Sequence, residues 1–147
     1  MKTAIAYVST HHGNTKKLVD AIAAKHEVTV IDANAQKEAD LEEYDLIGYA
    51  SGIAYGKFYP EILEFMEKNA PANKKVFFLH TSGNPFDRYD IAAKAICEGR
   101  GCESLGTYFC KGFDTFGALK LVGGIAKGHP TDEEIEGAVK FFEGLDK

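Results

Sequence analysis

The 147-residue chain is 45% hydrophobic and 27% charged, the balance of an ordinary globular protein with room for one good core, and a single domain over residues 1–147 is expected. A formal net charge of −5 without any Lys/Arg-rich tract argues against nucleic acid or an anionic membrane as partner, and no apolar stretch approaches the roughly 20 residues of a membrane span. The amino terminus runs from Lys2 into a strand-like segment without the pattern of a signal peptide, so the expected location is the cytoplasm.

Thr3 to Val8 is an apolar, partly β-branched run that reads as a first strand. Ser9-Thr10-His11-His12-Gly13-Asn14-Thr15 follows, and then a segment with helical spacing at Leu18, Val19, Ile22 and Ala23. Val28 to Ile31 resembles a second strand and Asp45 to Ala50 a third, with one or two turns of helix at most over residues 37–44. Residues 60–69 form a predicted helix that opens with Pro60 and carries Ile62, Phe65 and Met66 on one face. Val76 to Thr81 reads as a fourth strand, residues 87–98 as a helix grouping Ile91, Ala92, Ala95 and Ile96, and Leu105 to Cys110 as a fifth strand.

Residues 111–130 make a long connection whose apolar content (Phe113, Phe116, Leu119, Leu121, Val122, Ile125) suits a packed segment, with a short helix expected at 115–122. It reads either as a cover for a ligand mouth or partner site, or as structural packing alone. Thr131-Asp132-Glu133-Glu134 then has capping-box spacing, and Ile135, Ala138, Val139, Phe142 and Leu145 supply an apolar stripe to a last helix. Cys97, Cys102 and Cys110 are odd in number and lack CxxC spacing, so they indicate neither a disulfide framework nor a zinc site and are expected to remain free thiols.

Five nearly continuous apolar strands alternating with helices imply an α/β fold: a doubly wound five-stranded parallel sheet with helices on both faces and the order 2-1-3-4-5. In such a sheet the ligand site lies at the carboxyl edge, where the strand order reverses, and the Ser9–Thr15 loop falls there. Unpaired amides and the dipole of the following helix favour an anion. Gly13 allows close backbone approach, and Ser9, Thr10 and Thr15 offer hydroxyls, which together suit a phosphate. The plainer alternative is that Asn14 or Thr15 merely caps the helix.

On these residues the chain resembles the flavodoxin family over nearly its whole length. The loop is similar to that family's phosphate-binding loop for flavin mononucleotide (FMN) at Ser9, Thr10, Gly13, Asn14 and Thr15, and departs from it at His11 and His12. The resemblance implies FMN as cofactor and assigns Ser51, Gly52, Ile53, Ala54, Tyr55 and Gly56, with Thr81, Ser82, Gly83, Asn84, Phe86 and Tyr89, to the flavin ring. Tyr55, Phe58, Phe86 and Tyr89 are the candidate stackers. Gly52 or Gly56 is the candidate for a peptide that turns to accept a hydrogen bond from the reduced flavin.

The resemblance implies a low-potential one-electron carrier that docks on redox partner proteins, as a monomer or weak homodimer. A weaker similarity, at Ile53 to Lys57 and Leu121 to Gly124, points to the quinone-dependent protoporphyrinogen oxidases that share the fold, although their insertion before the last strand is missing. An FMN-dependent oxidoreductase acting on a quinone or small aromatic substrate, and a protein-interaction module without cofactor, therefore stay open. A receiver domain is disfavoured because Ser9-Thr10 and Ala50-Ser51 stand where acidic residues are needed. The first loop lacks GxGxxG, no Ser-His-Asp or Cys-His nucleophile is discernible, and the scattered histidines do not suggest a metal site.

Overall fold

The computed structural model describes residues 1–10, 12–115 and 121–147. The chain runs β1 (Thr3–Val8), α1 (Asn14–Lys25), β2 (Thr29–Asp32), β3 (Leu46–Ala54), β4 (Lys57–Phe58), α2 (Pro60–Asn69), β5 (Lys75–Ser82), a 3-10 turn (Asp87–Asp90), α3 (Ile91–Glu98), β6 (Glu103–Lys111) and α4 (Asp132–Glu143). The parallel strands lie in the order β2-β1-β3-β5-β6, and β4 folds back antiparallel onto the end of β3. Without that short hairpin strand, this is the expected 2-1-3-4-5 order.

Alternation along each strand divides the core into two layers. Ala4, Ala6, Ile47, Tyr49, Val76 and Phe78 face one side, where Ile62, Phe65 and Met66 of α2 and Ala93 and Cys97 of α3 cover them. Ile5, Tyr7, Leu46, Ala50, Phe77 and Leu79 face the other, under Val19 and Ile22 of α1 and Val139 and Phe142 of α4. Gly48 of β3 belongs to this second layer, and the Phe77 ring lies where its side chain would be, 2.3 Å from an added Cβ. The capping box of α4 forms as its sequence predicts, with Glu134 N donating to Thr131 Oγ1 at 3.2 Å and Thr131 N to Glu134 Oε1 at 2.8 Å.

Two expectations need correction. Residues 37–44 form no helix, because the last residue of α2 supplies the hydrogen bonds that a helix would have made: Asn69 Oδ1 accepts from Ala39 N at 3.1 Å, and Asn69 Nδ2 donates to Lys37 O at 2.9 Å. The 87–98 segment divides into the 3-10 turn and α3, and its buried face is Ala93 and Cys97, leaving Ile91 62% exposed. Buried Asp90 fixes that division, accepting from Thr107 Oγ1 at 2.5 Å and pairing with Lys94 at 3.1 Å. The helix expected at 115–122 falls mostly on residues 116–120, outside the described residues.

The topology sets the site. Five connections emerge at the carboxyl edge of the sheet: β1 to α1, β2 to β3, the β3-β4 hairpin, β5 to the 3-10 turn, and β6 to α4. The order reverses between β1 and β3, which leaves a crevice there for a ligand.

Candidate functional site

A narrow cleft occupies that crevice. The first loop contributes Ser9, Thr10, Asn14 and Thr15, the hairpin Gly52, Ile53 and Tyr59, and the end of β5 Thr81 and Ser82. Helix α1 begins on the cleft behind Gly13, an N-cap residue without a side chain, and has no acidic residue in its first turn, so no charge of its own neutralises the positive end of its dipole. His12 and Gly13 enter it in left-handed backbone geometry, at φ 55° and 65°. The alternative that Asn14 or Thr15 acts as the cap is thereby corrected: Gly13 is the N-cap, and both residues are buried inside the first turn.

The hydroxyls are arranged unequally. Thr15 is 1% exposed and shares a 2.8 Å hydrogen bond with Thr81 Oγ1, while Ser9 Oγ accepts from Lys16 N at 3.1 Å and Thr10 is exposed. Asn14 Nδ2 donates to Phe113 O at 2.8 Å. Two buried polar atoms on the cleft residues, Asn14 Oδ1 and Ser82 Oγ, have no partner among the described residues. Such groups are costly to leave unmet and point to a polar ligand.

Of the ring-side assignments, Ile53 lines the cleft, and Ala54 and Tyr55 line a shallower pocket shared with Thr10 and Tyr59. Tyr55, at φ 54°, and Gly56, at φ 76°, form the two-residue turn between β3 and β4, with Ala54 opposite Lys57. The turn holds Tyr55 out at 89% exposure, and Gly56 comes within reach of the Tyr89 ring. Phe86 packs edge-on against Tyr89 at 5.5 Å, with the Arg88 guanidinium 4.5 Å from the Phe86 ring centre. Of the aromatic candidates, Tyr55 opens onto the pocket beside Thr10, while Phe86 and Tyr89 pair with each other next to the Gly56 turn.

The other assignments move. Phe58 is fully buried against Phe78 and His80, so it belongs to the core and is no stacker. Ser51 is also buried: its hydroxyl donates to Gly52 O at 2.6 Å and accepts from Tyr59 N at 3.0 Å, which ties the hairpin together. Gly52 lies within β3, with Tyr59 2.7 Å from an added Cβ, so Gly56 alone keeps the freedom of a turn. Gly83 is covered by Ile125, Asn84 is exposed and does not line the cleft, and His11 falls outside the described residues.

Sequence reasoning missed Tyr59, and it read the long connection as a cover for a ligand mouth or as packing without assigning any of its residues to the site. The Tyr59 hydroxyl lies beside Thr10, and burial raises its ionisation above the ordinary tyrosine range. Gly112, Phe113 and Asp114 close the remaining side of the cleft. The connection returns over the first loop: Asp114 and Ile125 exchange backbone hydrogen bonds at 2.9 and 2.8 Å, Phe113 N donates to His129 O, and the His12 ring stacks on Phe113 at 4.4 Å. The Tyr55-Gly56 pair between apolar residues was the sequence signal for the hairpin that delivers Tyr59. No local pattern marked the return of residues 112–114.

Beneath the site, His80 of β5 is fully buried, stacked on Phe109 at 5.0 Å, with neither ring nitrogen partnered among the described residues. Burial pushes its pKa down to about 4, which keeps the ring neutral.

The family model described as "Flavodoxin domain" matches residues 4–94, from β1 through the first half of α3. The chain belongs to the flavodoxin family. An uncharacterised protein of Methanocaldococcus jannaschii is 36% identical over 147 residues, covering 99% of this chain and 98% of that one. The fold is similar to that of a flavodoxin from the domain Archaea, at TM-score 0.66 and 20% identity over 95% of this chain and 92% of that one. It is also similar to a Lactobacillus acidophilus flavoprotein in complex with FMN, at TM-score 0.56 and 20% identity over 74% and 92%. Within this flavodoxin-like fold, the matched span contains the first loop, the hairpin and the end of β5, but not residues 112–114. No described helix is long and apolar enough to cross a membrane.

Proposed function

We propose that this chain binds FMN and serves as a one-electron carrier between partner oxidoreductases. The observation that carries the reading is the start of α1 behind Gly13, with no acidic residue in its first turn, at the crevice where the sheet order reverses, surrounded by the Ser9, Thr10 and Thr15 hydroxyls and by Asn14 Oδ1 and Ser82 Oγ, which have no partner among the described residues. In this reading the helix start and the hydroxyls hold the phosphate through charge-assisted hydrogen bonds. Tyr55, Phe86 and Tyr89 flank the ring at the rim, and the Gly56 turn provides a backbone carbonyl able to reorient at small cost. FMN would supply the electron uptake and release, while the protein orients it and limits access of water.

Membership of the flavodoxin family and the chemistry of the cleft support this reading; they leave the donor and acceptor to experiment. The test is to add FMN to the purified protein, measure affinity against riboflavin, and titrate the complex with dithionite while recording visible spectra. Tight FMN binding, weak riboflavin binding and reduction in two separated one-electron stages are expected. Steady turnover with a quinone would replace the carrier with an enzyme, and absence of flavin binding would leave a protein-interaction module.

A further inference from the structure

The end of α3 brings two thiols together, at the sheet edge opposite the cofactor cleft. Gly101 is left-handed at φ 73°, and Cys102 N donates to Cys97 O at 3.0 Å. A six-to-one hydrogen bond behind a left-handed glycine is a Schellman ending, in which the side chains at its two ends touch and are usually apolar. Here those two side chains are Cys97 and Cys102, and both pack in the same core cluster. The turn is clamped from below: Asn73 N donates to Arg100 O at 3.0 Å, and Glu103 N to Lys74 O at 2.9 Å.

The backbone bond also limits the span. Adding the roughly 2.4 Å from Cα to its own carbonyl oxygen and the roughly 1.5 Å N–Cα bond to the 3.0 Å hydrogen bond places the two Cα atoms no more than about 6.9 Å apart, within the roughly 7 Å limit for a disulfide. The Cys102 thiol donates to Pro71 O at 3.4 Å and is partly exposed, whereas Cys97 is 2% exposed. The third cysteine, Cys110, is buried in a separate cluster with Leu18 and Ala138 and has no place in the pair.

We propose that Cys97 and Cys102 form a reversible dithiol site that exchanges with small-molecule disulfides, independently of the flavin. Cys102, the accessible partner, loses its proton and attacks one sulfur of the disulfide, whose S–S bond breaks as the first small thiolate leaves and takes up a proton. Cys97 then loses its proton and attacks Cys102 Sγ, breaking the mixed disulfide and releasing the second small thiol. The protein dithiol is oxidised by two electrons, and one small disulfide becomes two thiols. Burial raises the Cys97 thiol to about 12, so Cys102 reacts first, and contact between the two sulfurs drives the second step.

The test uses the full chain carrying Cys110→Ala, incubated with oxidised glutathione, acid-quenched, alkylated and digested with trypsin. Cleavage after Arg100 separates the two cysteines, so an internal disulfide leaves peptides 95–100 and 101–111 joined. Joint loss of both free thiols, with the joined peptides and no lasting glutathione adduct, is the expected result. Adding Cys97→Ala should leave a stable adduct on Cys102, and adding Cys102→Ala should slow reaction with oxidised glutathione at least tenfold, with circular dichroism checking that each variant folds. Retention of both thiols, a persistent adduct on Cys102 while Cys97 is present, or dimers linked through Cys102 would each overturn the proposal. The measurement on the Cys110→Ala chain decides the matter even if a further substitution prevents folding.

Discussion

Thr10 and Thr15 separate phosphate recognition from structural support, because the fold uses them differently. Thr15 and its partner Thr81 are 1% and 3% exposed and share a 2.8 Å hydrogen bond, so Thr15→Val strands the Thr81 hydroxyl in a dry site and should cost about 1–3 kcal/mol of stability. Thr10 is exposed and its side-chain partner is the Tyr59 hydroxyl at the cleft, so Thr10→Val should cost no more than about 1 kcal/mol. For FMN the expectation is different. A hydroxyl donating to a phosphate is worth about 1.5–3 kcal/mol, or roughly 10- to 150-fold in dissociation constant. Thr10→Val should therefore weaken FMN by that factor with little change in riboflavin affinity and a smaller fall in urea midpoint than Thr15→Val, which should lower both FMN affinity and the midpoint. Titration calorimetry with both flavins and urea denaturation of the flavin-free protein make the comparison. Equal loss of FMN and riboflavin by Thr10→Val would refute the placement of the phosphate.

Three other perturbations are direct. The folded-state pKa of His80 is depressed to about 4, so its contribution is fully present above the unfolded value near 6.5 and is lost as pH falls through that window; at about 1.4 kcal/mol per unit the loss approaches 3 kcal/mol. His80→Phe should flatten the fall in urea midpoint between pH 6.5 and 4, and an unchanged slope would assign the acid sensitivity elsewhere. Gly48→Ala drives a methyl group into the Phe77 ring and should destabilise by about 1–3 kcal/mol, with recovery in the double variant with Phe77→Leu, measured by thermal unfolding. Asp114 brings a carboxylate to the cleft, so Asp114→Asn should tighten FMN several-fold at low salt, a gain that shrinks as ionic strength rises.

Periodicity and punctuation placed the five parallel strands and the first loop, the small set of doubly wound arrangements supplied the order of the sheet, and the β4 hairpin strand was not foreseen. Thr3–Val8 and Lys75–Ser82 are apolar enough to be buried on both faces, and Thr131 and Glu134 carry the start of α4 within four residues of sequence. What the sequence alone left undecided depends on residues far apart in the chain. Phe58 and Phe86 are the same residue type in similar loops, yet the β3-β4 hairpin buries one and the 3-10 turn leaves the other at the rim. Ser51 reads as a ligand hydroxyl until Tyr59 N claims it, and residues 37–44 lose their helix to Asn69, about 30 positions away. The closing wall of the cleft at Gly112 to Asp114 exists because Asn14 reaches 99 residues along the chain to Phe113 O. Local sequence encodes the energetics of each element with its neighbours. Which polar atoms are satisfied and which remain for a ligand is decided when distant segments compete for the same hydrogen bonds in the folded protein.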